Sequence, residues 1–174
     1  METSVLARTL ETPDTLTLRL ASALTIIPGQ FIMLGAALNG VVVKRSYSVA
    51  SIGSGWLDIT VRLQPQGVFS QFLFSTVVGD RLELFGPFGR HFLWKPSEHD
   101  TSVPVVLIAG GTGIAPFKAM IEAAQGLPVR GHVIFSVRQG ADVIYANSLD
   151  AWRAANFPVT VTLTRPSEED TANW

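Results

Sequence analysis

Along the first hundred residues, apolar and polar positions alternate in short runs. Residues 15–20 place Leu16, Leu18 and Leu20 on one face, and residues 57–63 do the same with Leu57, Ile59, Val61 and Leu63. Residues 81–85 repeat the pattern with Leu82 and Leu84. A period of two is that of a half-buried strand. Turn signals separate these runs: Pro28-Gly29, Asn39-Gly40, Gly53-Ser54-Gly55, Gly79-Asp80 and Gly86-Pro87. Short strands at this spacing predict a closed antiparallel barrel or a sandwich.

The pattern then changes. Residues 95–104 are polar and proline-flanked, and read as a linker. Residues 105–109 form a continuous apolar run, which predicts a parallel strand covered on both faces. Residues 114–125 carry Ile114, Phe117, Ile121 and Ala124 at helical spacing, with Pro116 in the first turn and Gly126 at the C-terminal end. A second buried strand is expected over 132–137, a shorter helix over 145–155 and a third strand over 159–164. Strand–helix–strand–helix–strand predicts a βαβ domain with right-handed crossovers. The expected organisation is therefore an N-terminal antiparallel β domain, barrel or sandwich, over residues 1–98, followed by a parallel-sheet α/β domain over 99–174.

Composition narrows the function. With 174 residues, 47% hydrophobic and 16% charged, the chain can bury a sizeable core and is not disordered. A net charge of −1 gives no electrostatic footprint for nucleic acid. The absence of cysteine excludes disulfides, thiolate zinc sites and cysteine-ligated iron–sulfur clusters. No apolar stretch is long enough to span a bilayer, and the N-terminus lacks a signal-peptide core, so a cytoplasmic protein is expected.

The candidate chemistry sits in four short motifs. Ala109-Gly110-Gly111-Thr112-Gly113-Ile114-Ala115-Pro116 follows a buried strand and opens a helix. Glycines there allow close backbone approach to an anion, and the helix N-terminus offers unpaired N–H groups, so a pyrophosphate is the expected guest. No Gly-Lys-Ser/Thr follows, which excludes a Walker A loop; a tight turn with glycines for packing is the plain alternative. Arg45-Ser46-Tyr47-Ser48, at the end of a strand over 40–44, offers a bidentate phosphate partner, a flat ring and a rotatable donor. Strand alternation sets Arg45 and Tyr47 on one face and Ser46 and Ser48 on the other; plain surface is the alternative. Gly67-Val68-Phe69-Ser70 is a glycine turn into a short helix, with Ser70 available to a phosphate. Gly86-Pro87-Phe88-Gly89 reads as a rigid turn displaying an aromatic side chain. His91, His99 and His132 are scattered and read as surface or packing residues.

In this order and spacing, and with Pro28-Gly29-Gln30-Phe31 before them, the four motifs resemble the ferredoxin–NADP reductase superfamily across almost the whole chain. The resemblance implies a flavin, usually FAD rather than FMN, on the barrel and NADP or NAD on the α/β domain. Arg45 would bind the FAD pyrophosphate, Tyr47 would pack on the isoalloxazine ring, and Ser48 would hydrogen-bond near flavin N5. Tyr47 and Ser48 are thus the residues nearest the chemistry. The backbone of Val61, Arg62 and Leu63 would border the flavin, and Gly67, Val68, Phe69 and Ser70 would wrap its pyrophosphate. Thr112 would lie between the cofactors, while Gly110, Gly111 and Gly113 would cradle the pyrophosphate of the nicotinamide nucleotide. Arg165, after Thr164, matches the cation that NADP-preferring relatives place at the 2′-phosphate; Arg138 is a weaker candidate, and an ordinary loop arginine is equally consistent.

The implied activity is hydride transfer between NAD(P)H and FAD, followed by electron release to a separate acceptor: a ferredoxin, a flavodoxin, an oxygenase or a small molecule. The reductase component of a multi-subunit oxygenase or dehydrogenase shares these motifs. The family continues with two further parallel strands and a Cys-Gly-Pro-type loop, whereas this sequence closes on Trp174, which resembles the start of that next segment. A C-terminally shortened nucleotide domain is therefore expected, with the strand carrying Gly110 as an exposed apolar edge. A flavin-binding module without NAD(P)H activity and an interaction domain that has lost both cofactors are the competing expectations, the latter opposed by intact Arg45, Tyr47, Ser48 and Ser70.

Overall fold

The structure, a computed structural model, describes residues 1–98 and 100–173, the side chains of Ala172 and Asn173 excepted. The expectations placed on His99 and Trp174 lie outside the described residues. The N-terminal half holds β1 (Glu2–Thr12), β2 (Thr15–Ala21), β3 (Phe31–Leu38), β4 (Val41–Gly53), β5 (Trp56–Arg62), α1 (Val68–Ser75) and β6 (Arg81–Phe88). The six strands close into an antiparallel barrel in the order β1-β2-β5-β4-β3-β6. Of the two expected architectures, this is the barrel.

The alternation builds it directly. Leu16, Leu18 and Leu20 of β2, Leu57, Ile59 and Val61 of β5, and Leu82 and Leu84 of β6 all enter one core, none more than 3% exposed. The polar alternates Thr15, Thr17, Asp58 and Thr60 are also buried, although they leave the barrel interior. Thr60 bonds Tyr145 of the second half of the chain, while Asp58 pairs with Arg19 within the barrel. β1 carried no clean alternation because its pairing with β2 shifts register twice, between Val5 and Ala7 and between Leu10 and Thr12.

Two readings of the barrel change. Arg45–Ser48 does not end a strand: β4 runs unbroken for 13 residues, pairing its first part with β3 and its last part with β5. Gly86-Pro87 is not a turn between elements but an irregularity inside β6, where the register against β3 shifts between Phe31 and Met33. Gly86 there has φ +140°, open to glycine and strained for other residues. Phe88 then packs its ring 5.7 Å from Phe31.

After a 3-10 turn at Pro96–Glu98, the second half contains β7 (Val105–Gly110), α2 (Ala115–Ala124), β8 (Gly131–Val137), α3 (Ala146–Ala154), β9 (Val159–Leu163) and α4 (Glu168–Asn173). β7, β8 and β9 form a parallel sheet in that order, with β7 at its edge as expected. Ile114, Phe117, Ile121 and Ala124 are all buried against Leu107, Val133 and Phe135. The expectation that the first strand is covered on both faces fails: Val106 is 59% and Ile108 68% exposed. Three strands laid down side by side in chain order, with right-handed crossovers, put both connecting helices on one face of the sheet.

Candidate functional site

β4 and β5 pair from Val49–Ile59 to Gly53–Trp56 and separate beyond that point. A groove of about 690 Å³ opens where they separate. Arg45, Ser46, Tyr47 and Ser48 line one side, and Thr60, Val61 and Arg62 the other. Gly67, Val68, Phe69 and Ser70 close one part, and Thr112 and Gly113 bring in the second domain. All four residues of the Arg45–Ser48 motif border the groove, because it follows the strand's unpaired edge; the alternation expected for them does not separate them.

Tyr47 is half-buried, its ring stacked on Phe69 with centroids 6.4 Å apart and planes 24° from parallel. Burial pushes its phenol up to about 12, with Arg45 pulling weakly the other way. Arg45 is exposed, and among the described residues its guanidinium donates only to the neighbouring Lys44 carbonyl, at 2.7 Å. It is thus available to an anion in the groove. Ser70 is buried, accepts from the Gln64 amide at 3.1 Å and donates to the Gly67 carbonyl at 2.8 Å. Its hydroxyl shapes the turn rather than standing free for a phosphate. A Cβ on Gly67 would lie 2.6 Å from that hydroxyl and 2.7 Å from Gln64 Cβ, so the turn requires glycine. The first-turn amides of α1 have no partner within the helix and border the groove.

The turn after β7 distinguishes packing from approach. Gly111 has φ +51°, and a Cβ on Gly111 or Gly113 would meet nothing within 4 Å. These glycines therefore do not serve internal packing; they leave open ground at a strand–helix junction, which fits a pyrophosphate. Gly110, the last residue of β7, lies outside the groove lining.

A second pocket of about 130 Å³ adjoins the first, and Arg62 and Thr112 line both. Arg62 is held by Asp14, whose carboxylate takes its Nε and Nη2, each at 2.8 Å. Burial works against the charge on Asp14, yet hydrogen bonds from Thr15, Thr12 and Arg62 outweigh it and hold the carboxyl below its ordinary range. Asp142 stands 4.0 Å from Arg62 and 3.8 Å from Arg138. Arg165 is exposed beside this pocket, its amide donating to the Arg138 carbonyl at 2.8 Å. Leu63 turns away from both pockets, and its amide donates to the Asp14 carbonyl at 2.7 Å. His91 is exposed, and His132 Nε2 lies 2.7 Å from Thr160 Oγ1.

Sequence reasoning missed Thr60, Gln64, Gln66, Asp14 and Asp142 as lining residues. Asp14 carried a usable signal, a Pro-Asp turn flanked by threonines whose hydroxyls bond to it at 3.0 and 2.9 Å. Asp142 carried none. It reaches the pocket only because a 3-10 turn follows β8.

Residues 4–93 match the oxidoreductase FAD-binding domain family, and residues 107–174 match the oxidoreductase NAD-binding domain family. The toluate 1,2-dioxygenase electron transfer component of Pseudomonas putida is 35% identical over 82% of this chain and 42% of its own length. Ferredoxin–NADP reductase B of Sorangium cellulosum is 33% identical over 71% of this chain and 50% of its own. The chain thus spans about half the length of the curated relatives it matches. The solved Amycolatopsis cytochrome P450 reductase superposes with a TM-score of 0.83 at 28% identity, over 97% of this chain and 53% of its own. Among the described residues no helix is long and apolar enough to cross a membrane. With an antiparallel barrel split by a cofactor-sized groove, a glycine turn opening a βαβ unit beside it, and both domain families matched in order, the chain belongs to the ferredoxin–NADP reductase superfamily of FAD- and NAD-binding oxidoreductases.

Proposed function

We propose that the chain acts as an NAD(P)H-dependent flavin reductase that passes electrons to a separate acceptor. The observation that carries this reading is the single groove joining Arg45–Ser48, Gly67–Ser70 and the Thr112–Gly113 turn of the other domain. The chemistry supplied by the bound cofactors is hydride transfer from nicotinamide to flavin N5.

The protein's part is to bind, align and exclude water. Arg45 and the first-turn amides of α1 would hold the FAD pyrophosphate, and Tyr47 would offer a ring face that stays neutral. Ser48 would present a hydroxyl to the reactive edge of the ring system. The backbone edge at Thr60, Val61 and Arg62, unpaired with β4, has hydrogen-bonding groups to offer, while Leu63 stands behind it. Gly110, Gly111 and Gly113 would admit the nicotinamide nucleotide, with Thr112 at the shared wall. No acid–base pair is required, because the protein brings two flat rings within reacting distance. Asp142 partly neutralises Arg138. Arg165 is then the stronger cation for a 2′-phosphate and favours NADPH over NADH.

The names of the relatives support an oxygenase or ferredoxin-type acceptor. A second reading, a flavin-binding module unresponsive to NAD(P)H, is favoured by the placement of Gly110 and Gly111 outside the groove that Arg45–Ser48 line. One experiment separates them: reconstitute the chain with FAD, record the visible spectrum, and add NADPH or NADH anaerobically. Bleaching is expected. A yellow protein that neither nucleotide bleaches supports the second reading, and a chain that takes up no FAD overturns both.

A further inference from the structure

Half-buried Glu11 and the buried Thr17, Thr60 and Tyr145 form a closed ring between the domains. Glu11 of β1 accepts from the Thr17 hydroxyl through Oε1 at 2.8 Å, and from the Tyr145 amide through Oε2 at 3.1 Å. Thr17 and Thr60 hydroxyls lie 2.9 Å apart, and Thr60 in turn bonds the Tyr145 hydroxyl. The ring joins β1, β2 and β5 of the barrel to the residue that caps α3. Thr17, Thr60 and Tyr145 are each 9% exposed or less.

Its proton arrangement is determined throughout. An ionised carboxylate only accepts, so Thr17 donates to Glu11. Thr60 must then donate to Thr17, and Tyr145 must donate to Thr60. A phenol is the only member able to end this chain from the second domain. Burial, opposed by the Thr60 bond and reinforced by the charges of Glu11 and Asp58, pushes the Tyr145 phenol up, which keeps its proton in place. Tyr145 also holds φ +60° and ψ 28°, a left-handed conformation that a side-chain-bearing residue keeps only where its surroundings impose it. Its ring meets Trp152 edge-on at 6.4 Å, and Lys118 Nζ lies 5.7 Å from the ring centroid.

We propose that this ring is the latch that sets the orientation of the α/β domain on the barrel, with Tyr145 as a positioning residue. Thr60 lies in the groove wall beside Val61 and Arg62, and the Thr112–Gly113 turn belongs to the domain that Tyr145 anchors. The latch therefore fixes the spacing between the wall of the flavin groove and the turn that admits the nicotinamide nucleotide. It rests on the proposed reductase reading for its purpose, but its geometry is testable without it.

Since the chain has no cysteine, two can be introduced for spin labels, Val78→Cys on the barrel and Asn147→Cys on α3, both exposed. Pulsed electron resonance on the chain, measured with and without FAD, is expected to give one narrow distance distribution. It should broaden in Tyr145→Phe, Thr60→Val and Glu11→Gln, with the Tyr145→Phe/Thr60→Val pair no broader than either alone. Thr60→Ser, which keeps the hydroxyl, should restore the narrow distribution. In parallel, Tyr145→Phe should keep FAD affinity within about twofold and slow flavin bleaching by NAD(P)H at least tenfold. An unchanged distance distribution in Tyr145→Phe and Glu11→Gln overturns the latch, even if the melting temperature falls. If the parent chain is not bleached by either nucleotide, the reductase reading fails, and the label distances alone decide the latch.

Discussion

On the proposed function, Arg45 is the side chain on which flavin retention would most directly depend. It is exposed, lines the groove, and among the described residues has only a neighbouring carbonyl to satisfy. Replacing Arg45 by Ala is expected to weaken FAD binding by about 1.5–3 kcal/mol, the range for a charge-assisted hydrogen bond, as measured by flavin fluorescence titration. Unchanged affinity would contradict the role. Arg62 differs: its charge is already taken by Asp14, so its contribution to the groove is backbone. The motif in the sequence announced Arg45, Tyr47 and Ser48, since residue type and spacing alone carry that signal. It could not announce that Ser70 is occupied, because Gln64 and Gly67 become its partners only when the turn closes.

The decisive local event is the separation of β4 from β5. A strand pattern shows which residues share a face, not where a ladder stops, and the groove exists only because this ladder stops at Val49–Ile59. The turn leading into α1 depends on Ser70 in a similar way. Ser70→Ala removes both hydrogen bonds and leaves the Gln64 amide without its partner. It should destabilise the FAD-free chain by about 1–2 kcal/mol in urea unfolding, more than an exposed serine would. α2 was readable almost residue by residue, because Ile114, Phe117, Ile121 and Ala124 recur at the helical period and Gly126 follows at φ +79°. β1 was not, because two register shifts break its alternation.

Across the molecule, the two domains meet where β4 packs on α2 and where Thr60 of β5 bonds Tyr145. Arg19 pairs with Asp58 through two bonds of 2.9 and 3.0 Å while stacking 3.5 Å from the Trp56 ring centroid, and Ser51 of β4 donates to Glu122 of α2. Burial raises both tyrosines of the chain, Tyr47 in the barrel groove and Tyr145 at the domain junction. Tyr47 titrates at about 12 and Tyr145 higher still, against an ordinary value of 10.0. A folded-state value above the unfolded one favours the neutral phenol in the fold. The resulting stability is complete below pH 10 and is lost as pH rises through about 12. Folded chain should therefore show almost no tyrosinate absorbance at pH 10.5, and its melting temperature should begin to fall above about pH 10. Ordinary tyrosinate titration in the folded chain would refute the burial of both rings.

Hydrophobic periodicity, glycine placement and motif order determined an antiparallel β domain, the βαβ unit and the family, because each is local in sequence. The tertiary structure alone decided that the polar face of β2 and β5 is, at Thr17 and Thr60, a domain junction rather than a solvent face, since both read as the same alternation. It also decided which face of the parallel sheet α2 and α3 cover, leaving Val106 and Ile108 exposed on the other, because crossover handedness and strand order, not composition, place the helices. The ring through Glu11, Thr17, Thr60 and Tyr145 depends on residues up to 134 positions apart, and only folding brings them together.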